Sequence, residues 1–217
     1  MNQDQLHLLL DAVPTTLEVF FLSLVFAVPL ALLAGLARAS KVRVLRWPAG
    51  IYIEVFRGTS VLVQVFFVFY VLPLYGVTLS PLVAGVVALG ANFGAYGGEV
   101  VRAGVLSVSR DQREGALVLG MGPLLVMRRV ILPQAWSPML PPAGNLLIDL
   151  LKATALVSLI TLTDLTFAGQ ELIQTTGNVT GIWLTVLVIY FLLSLPLRGF
   201  VSLLERLTRI PQSERTP

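Results

Sequence analysis

The chain has 217 residues, of which 56% are hydrophobic and 12% are charged, whereas an average soluble domain has about 25% charged residues. The mean hydropathy is +0.84, which excludes a soluble domain and makes lipid the natural solvent. The net charge is +3, but the basic residues lie in loops beside apolar runs, which indicates membrane lipid rather than nucleic acid as a partner. The chain contains no cysteine, so disulfides and thiolate metal sites are excluded and no metal site is expected.

Five stretches are apolar and long enough to cross a bilayer, which takes roughly 20 residues for each helix. They cover about 15–37, 58–75, 82–105, 144–167 and 181–203. The sequence therefore predicts an all-α integral membrane protein, with residues 1–217 forming a single domain of five transmembrane helices.

The basic residues predict how the chain is oriented in the membrane. Arginine and lysine follow the first, third and fifth stretches, whereas the segments 1–14, 75–81 and 168–181 contain neither. Because cytoplasmic loops carry an excess of Lys and Arg, this pattern predicts an N-terminus outside and a C-terminus in the cytoplasm. An odd number of crossings also requires the termini to lie on opposite sides.

The loop of residues 106–142, between the third and fourth stretches, is too polar to cross and too long for a tight turn. Ser109 and Gln112 have the spacing of a capping box, which predicts the start of a helix. The pair Gly122-Pro123 predicts the end of this helix or a bend in it, and a second helix is predicted to stop near Pro133. Three more prolines predict an irregular entry into the fourth span: Pro138, Pro141 and Pro142.

The first helix of this loop carries one acid and several small residues: Glu114, Gly115, Ala116 and Gly120. Small residues allow a partner to approach closely, and together with one acid they suit docking into a cleft of another protein. A surface helix that lies at the membrane is the alternative that these residues alone leave open.

The same residues, followed by Ile131-Leu132-Pro133, resemble the EAA loop of ATP-binding cassette importer permeases, with Gly115 in the second position of the triplet. Other motifs are similar to the polar amino acid branch of that family, which includes histidine, glutamine and arginine permeases. They are Phe56-Arg57-Gly58-Thr59, Asn92-Phe93-Gly94-Ala95-Tyr96, Gly120-Met121 and Arg128-Arg129-Val130. The resemblance extends over about residues 15–205. After Lys152, Ala153 and Ala155 stand where the family usually has Asp and Ser, which bears on the substrate path.

The resemblance implies a transmembrane permease subunit of an importer that translocates amino acids delivered by an extracytoplasmic binding protein. It also implies a second permease subunit, identical or homologous, and a dimer of cassette ATPases bound on the inside, with the loop containing Glu114 as the coupling helix. The chain has no G-x-x-x-x-G-K-[ST] phosphate loop, so ATP and Mg are expected on the ATPase. No cofactor and no enzymatic activity are expected in this chain, and the implied location is a bacterial inner membrane.

A free-standing secondary transporter or channel for small polar solutes is the alternative function. It would need no ATPase and would be expected to show inverted repeats, which are not visible in the sequence. A membrane enzyme is disfavoured, because the lack of cysteine and the single histidine, His7 in the N-terminal tail, leave no convergent catalytic site.

Gly90, Gly94 and Gly98 recur every four residues in the third span. Such a face lets two helix backbones approach, so the pattern predicts close packing against another helix. Which helix is the partner stays open at the level of sequence.

Polar residues within the predicted spans are the candidates for a substrate pathway: Asn92, Tyr96, Glu99, Asp149 and Ser158. A charge at the bilayer centre costs at least about 2.5–3.5 kcal/mol, so such groups should face protein or water. Glu99 with Arg102, and Asp149 with Lys152, have the three-residue spacing of a helical ion pair. A purely structural, paired role for these charges is the alternative.

Overall fold

The computed structural model describes residues 3–208, and within that range every regular element is a helix. Ten α-helices follow one another along the chain. They are α1 (Gln3–Asp11), α2 (Val13–Ala39), α3 (Arg43–Gly58), α4 (Val61–Phe66), α5 (Pro81–Ser107), α6 (Arg110–Val118), α7 (Pro123–Val126), α8 (Leu132–Ala153), α9 (Leu165–Thr176) and α10 (Val179–Thr208).

Several of these helices continue into irregular turns. Helix α4 extends through a π turn (Phe67–Val71) and a 3-10 turn (Leu72–Tyr75), and α7 passes through a π turn (Met127–Ile131) directly into α8. A 3-10 segment (Thr154–Ile160) prolongs α8. The all-helical fold class predicted from the sequence is therefore confirmed.

Four helical segments of the described chain are long and apolar enough to cross a membrane: Gln3–Ala39, Pro81–Ser107, Pro123–Ile160 and Val179–Thr208. A fifth is present if α3 and the segment Val61–Tyr75, which meet at an angle of 103°, count as one broken span. Helices α2, α5 and α10 contain the predicted spans 15–37, 82–105 and 181–203. The count of five crossings stays a prediction.

The fourth predicted span, 144–167, does not coincide with a helix at either end. The helical segment that overlaps it starts at Pro123 and ends at Ile160, and the next residue, Thr161, adopts a left-handed conformation with φ of 63°. The predicted stop near Pro133 and the irregular entry after it are wrong. A π turn precedes Pro133, in which the Leu132 N–H donates to the Met127 carbonyl, and this widened turn carries the helix into the proline-rich segment.

Helix α3 is absent from the sequence-based prediction. Its buried residues Ala49, Gly50 and Ile53 face the bundle. Trp47 and Ile51 lie on its exposed apolar side, in a stripe that Val44 and Val55 continue. This three-to-four-residue period is the signal of an amphipathic helix, and it could have identified α3 from the sequence.

The predicted glycine face of α5 packs closely, and its partner is α2. A Cβ atom added at Gly98 would lie 3.3 Å from the Ala34 Cβ, and one added at Gly94 would lie 2.9 Å from the Leu30 Cβ. At Gly90 such an atom would lie 2.6 Å from the Phe26 ring. Because glycine lacks these Cβ atoms, the two backbones approach closely, and van der Waals contact of this kind holds helices together in lipid.

Candidate coupling segment and translocation pathway

The candidate coupling segment, residues 106–142, opens with helix α6, which begins at the predicted position. Ser109 Oγ accepts a hydrogen bond from the backbone N–H of Gln112 at 3.4 Å, as an N-cap residue does. Arg113 donates from its guanidinium to the Val105 carbonyl, and the Gln134 side chain donates to Gln112 Oε1 at 3.2 Å. These bonds fasten α6 to the end of α5 and to the start of α8.

The end of α6 is closed by a Schellman motif. The Gly120 N–H donates to the Leu117 carbonyl at 2.9 Å, and the Met121 N–H donates to the Ala116 carbonyl at 3.1 Å. The motif needs one residue in the left-handed region, and Gly120 supplies it with φ of 77°. The structure therefore gives Gly120 the role of turning the chain.

The other predicted coupling residues lie on two sides of α6. Glu114 and Gly115 are exposed, and open space surrounds a Cβ atom added at Gly115. Ala116 is buried and packs in an apolar cluster with Val105 and Ile131. The outer side is thus available for a partner, whereas the inner side attaches α6 to the bundle.

An apolar tip next to Glu114 was not singled out from the sequence. Val118 is 87% exposed and Leu119 is 82% exposed, and Leu124 stands equally free after the turn. Exposed apolar groups that share a patch with polar neighbours mark protein or membrane interaction sites. Three large aliphatic residues around a Gly-Pro turn were the sequence signal for this tip.

Asn92 holds the bend between α3 and α4. Its side chain is buried, and its amide donates to the Phe56 carbonyl at 2.9 Å and to Gln64 Oε1 at 3.0 Å. The Gln64 amide donates in turn to the same Phe56 carbonyl and to Thr59 Oγ1, at 2.9 and 2.7 Å. These bonds satisfy backbone groups that the helix break leaves without a helical partner.

Tyr96 and Glu99 follow Asn92 on the same face of α5, because residues four and seven apart share a helix face. The Arg57 guanidinium lies over the Tyr96 ring, 5.3 Å from its centroid. Glu99 pairs with Arg102 at 2.5 Å, so the predicted ion pair is confirmed. Both side chains of this pair are partly exposed.

Asp149 and Ser158 lie apart from this group. Asp149 pairs with Lys152 at 3.9 Å, as the spacing predicts, and both side chains are largely exposed. Ser158 is buried, and its hydroxyl donates to the Ala155 carbonyl at 2.7 Å. Across residues 3–208, no hydrogen bond or ion pair joins Asp149 or Ser158 to Asn92, Tyr96 or Glu99.

A buried polar cluster around Asp164 was not among the predicted site residues. Asp164 Oδ1 accepts from the Phe167 N–H at 2.9 Å, which caps α9, and Oδ2 accepts from the Tyr190 hydroxyl at 3.3 Å. Thr16 Oγ1 accepts from the Leu165 N–H at 3.0 Å. The cluster ties α2, α9 and α10 together, and its sequence signal was an acid at the start of an apolar helix.

Long apolar helices, with one polar segment between two of them, are typical of a multi-pass membrane protein. Residues 27–210 match the family described as "Binding-protein-dependent transport system inner membrane component". The chain therefore belongs to this family, and it is an inner-membrane transport subunit for which the family implies an ATPase and a binding protein as partners.

Similar proteins also support a transport subunit. The chain is 42% identical over 196 residues to the probable amino-acid ABC transporter permease y4tF of Sinorhizobium fredii, covering 88% of this chain and 82% of that protein. It is 38% identical over 205 residues to the glutamine transport system permease GlnP of Escherichia coli, with 94% of each covered. A solved structure described as an amino acid ABC transporter with histidines matches with a TM-score of 0.85 at 36% identity, covering 92% and 93%. A permease subunit is thus supported over a free-standing transporter or channel.

Proposed function

We propose that this chain is the permease subunit of an ATP-driven amino acid importer. It works with a second permease subunit, identical or homologous, and receives its substrate from an extracytoplasmic binding protein. ATP and Mg are bound by a separate ATPase dimer. Relatives that are 38–42% identical over most of the chain are amino acid permeases, which supports amino acids as the substrate class.

The exposed tip of α6 is the single observation that carries the coupling role. Glu114, Gly115, Val118 and Leu119 present one acid, one open backbone position and two bare aliphatic side chains. Arg113 and Gln112 hydrogen bond α6 to α5 and α8, so a force on the tip would be transmitted to both helices. A conformational change in an ATPase that binds this tip would therefore move the helices of the bundle.

The orientation that this role requires is an N-terminus outside and a C-terminus in the cytoplasm. Arg110 and Arg113 on α6, with Arg128 and Arg129 after it, favour the cytoplasm for the segment. The described segments 3–37, 58–101 and 153–197 contain no Lys or Arg, which favours the outside for the opposite ends of the helices.

The exposed bend between α3 and α4 supports a pathway along α5. Residues 57–60 are exposed, although their neighbour Asn92 lies well inside the span Pro81–Ser107. Lipid cannot satisfy non-helical backbone at membrane depth, so this surface must face protein or a water-filled cavity. Arg57, Tyr96 and Glu99 lie there, offering a cation and an anion for the two charged ends of an amino acid.

The five residues predicted for the pathway have different roles. Tyr96 and Glu99 line it, whereas Asn92 positions the bend through its bonds to Phe56 and Gln64. Asp149 and Ser158 belong to a second group on α8 and its 3-10 extension.

Leu119→Glu tests the coupling role. A charge at the centre of an apolar contact should weaken ATPase binding by at least about 2 kcal/mol, or roughly thirtyfold, and should remove substrate-stimulated ATP hydrolysis. The measurement is co-purification of the ATPase with the tagged permease, followed by ATPase assays in liposomes. Leu207→Glu is the matched control, since Leu207 is also an exposed leucine on the predicted cytoplasmic side. A complex that survives Leu119→Glu intact would show that the tip is not the ATPase contact.

A further inference from the structure

A cavity of about 1000 Å³ lies where the end of α2 meets α3, the last turns of α5 and the start of α6. Five cationic side chains line it: Arg38, Lys41, Arg46, Arg102 and Arg113. Only two carboxylates do so, Glu54 and Glu99, which leaves an excess of three positive charges.

Both carboxylates are already paired. Glu54 lies 3.6 Å from Arg38, and Glu99 lies 2.5 Å from Arg102. Lys41, Arg46 and Arg113 therefore have no carboxylate within ion-pair distance in the described chain. The Nε atom of Arg113 is buried and has no hydrogen-bond partner among residues 3–208. Like charges gathered in one cavity repel each other, and a bound anion would remove this cost.

Part of the cavity lining is apolar. Trp47, Ile51 and Val55 lie four residues apart on α3, and each is more than half exposed. Leu106 on α5 is half exposed and lines the same cavity. Cationic side chains beside an apolar stripe match a molecule that has an anionic head and a hydrocarbon tail.

We propose that this cavity binds an anionic phospholipid, with its phosphate among Lys41, Arg46 and Arg113 and an acyl chain along Trp47 and Ile51. Basic pockets between transmembrane helices bind such headgroups on the cytoplasmic side. The inference goes beyond the proposed transport function, and it uses the proposed orientation to assign the leaflet. Glu99 lines both this cavity and the proposed amino acid pathway, so the lipid would border that pathway. Because Arg113 belongs to α6, the lipid would contact the candidate coupling segment.

A second copy of this chain is the less favoured occupant. A two-fold interface centred on this cavity would bring the unpaired cations of both copies into one contact area, where like charges repel each other. This repulsion favours lipid over protein on the α3 surface.

The test uses fluorescence quenching of Trp47 in the full permease complex, after Trp136→Phe and Trp183→Phe leave Trp47 as the only tryptophan of this chain. Tryptophans of the partner subunits are replaced in the same way. The complex is reconstituted in phosphatidylcholine vesicles that contain a minor fraction of brominated phosphatidylglycerol or, separately, of brominated phosphatidylcholine. We expect brominated phosphatidylglycerol to quench Trp47 at a roughly tenfold lower mole fraction.

Lys41→Gln with Arg46→Gln should abolish this preference, whereas Arg198→Gln with Arg206→Gln removes the same charge outside the cavity and should preserve it. Excess inorganic phosphate should not reverse the quenching, and reversal would show that the site takes a soluble anion. Equal quenching by the two lipids would overturn the proposal, as would a preference that survives Lys41→Gln with Arg46→Gln. Absence of quenching by either lipid would also overturn it and indicate that protein covers α3. None of these quenching measurements depends on ATPase binding. The lipid proposal can therefore be wrong while the proposed transport function is right, and the reverse.

Discussion

One face of helix α5 packs against another helix, and the opposite face carries polar side chains. Gly90, Gly94 and Gly98 lie on one face and bring α5 against α2 at van der Waals distance. Asn92, Tyr96 and Glu99 lie on the opposite face, where they contact the bend, Arg57 and Arg102. The 3.6-residue period of the helix places the two sets nearly half a turn apart. A rigid contact on one side of a helix thus supports polar groups on the other, which is the arrangement that a transport site needs.

The largest loss of stability is expected when the glycine face is broken. Gly94→Val would drive new methyl groups into Leu30 and Tyr52, whose atoms lie 2.9 Å from the added Cβ position. Overpacking of this kind costs about 1–3 kcal/mol or more. The loss of heat stability is measured as the fraction of protein that stays monodisperse after heating in detergent. Gly199→Val is the control, because open space surrounds a Cβ atom at Gly199. Equal heat stability of the two variants would contradict the α2–α5 contact.

A smaller loss is expected on the polar face at Asn92. Asn92→Ala removes both amide bonds to Phe56 and Gln64, which should cost about 1–3 kcal/mol because the site is buried. Combining it with Gln64→Ala in a double-mutant cycle should give a coupling of roughly 0.5–3 kcal/mol. Additive effects of the two substitutions would show that Asn92 does not position the bend.

The smallest effect on stability is expected at Glu99. Glu99→Gln breaks a partly exposed pair with Arg102, so the free energy of unfolding should change by no more than about 1 kcal/mol. Amino acid uptake in liposomes should nevertheless fall, since the group lines the proposed pathway. Glu171→Gln, on an exposed position of α9, should change neither quantity. Normal uptake by Glu99→Gln would assign Glu99 a structural role only.

The same contrast explains what could be predicted from the sequence. Hydropathy located α2, α5 and α10, the glycine spacing predicted close packing, and Ser109 predicted the start of α6. These are local signals, because each depends on residues within one helix.

The features that sequence reasoning missed depend on distant partners or on unusual turns. The role of Asn92 follows from a carbonyl at Phe56, which only the bend brings within reach. The run from Pro133 to Pro142 stays helical because a π turn precedes it, and proline rules alone favour a break. The partner of the glycine face and the Asp164 cluster both required the packed structure.

Single-cysteine labelling tests the central claim most directly, because the chain has no native cysteine. Gly115→Cys would place a thiol on the exposed side of α6, where a Cβ atom meets nothing within 4 Å. Val77→Cys, on an exposed position of the loop before α5, serves as the control for the opposite side. A membrane-impermeant maleimide should label Gly115→Cys only in inside-out vesicles, and added ATPase subunit should block the reaction. Labelling of Gly115→Cys from the outside of intact cells would contradict the account.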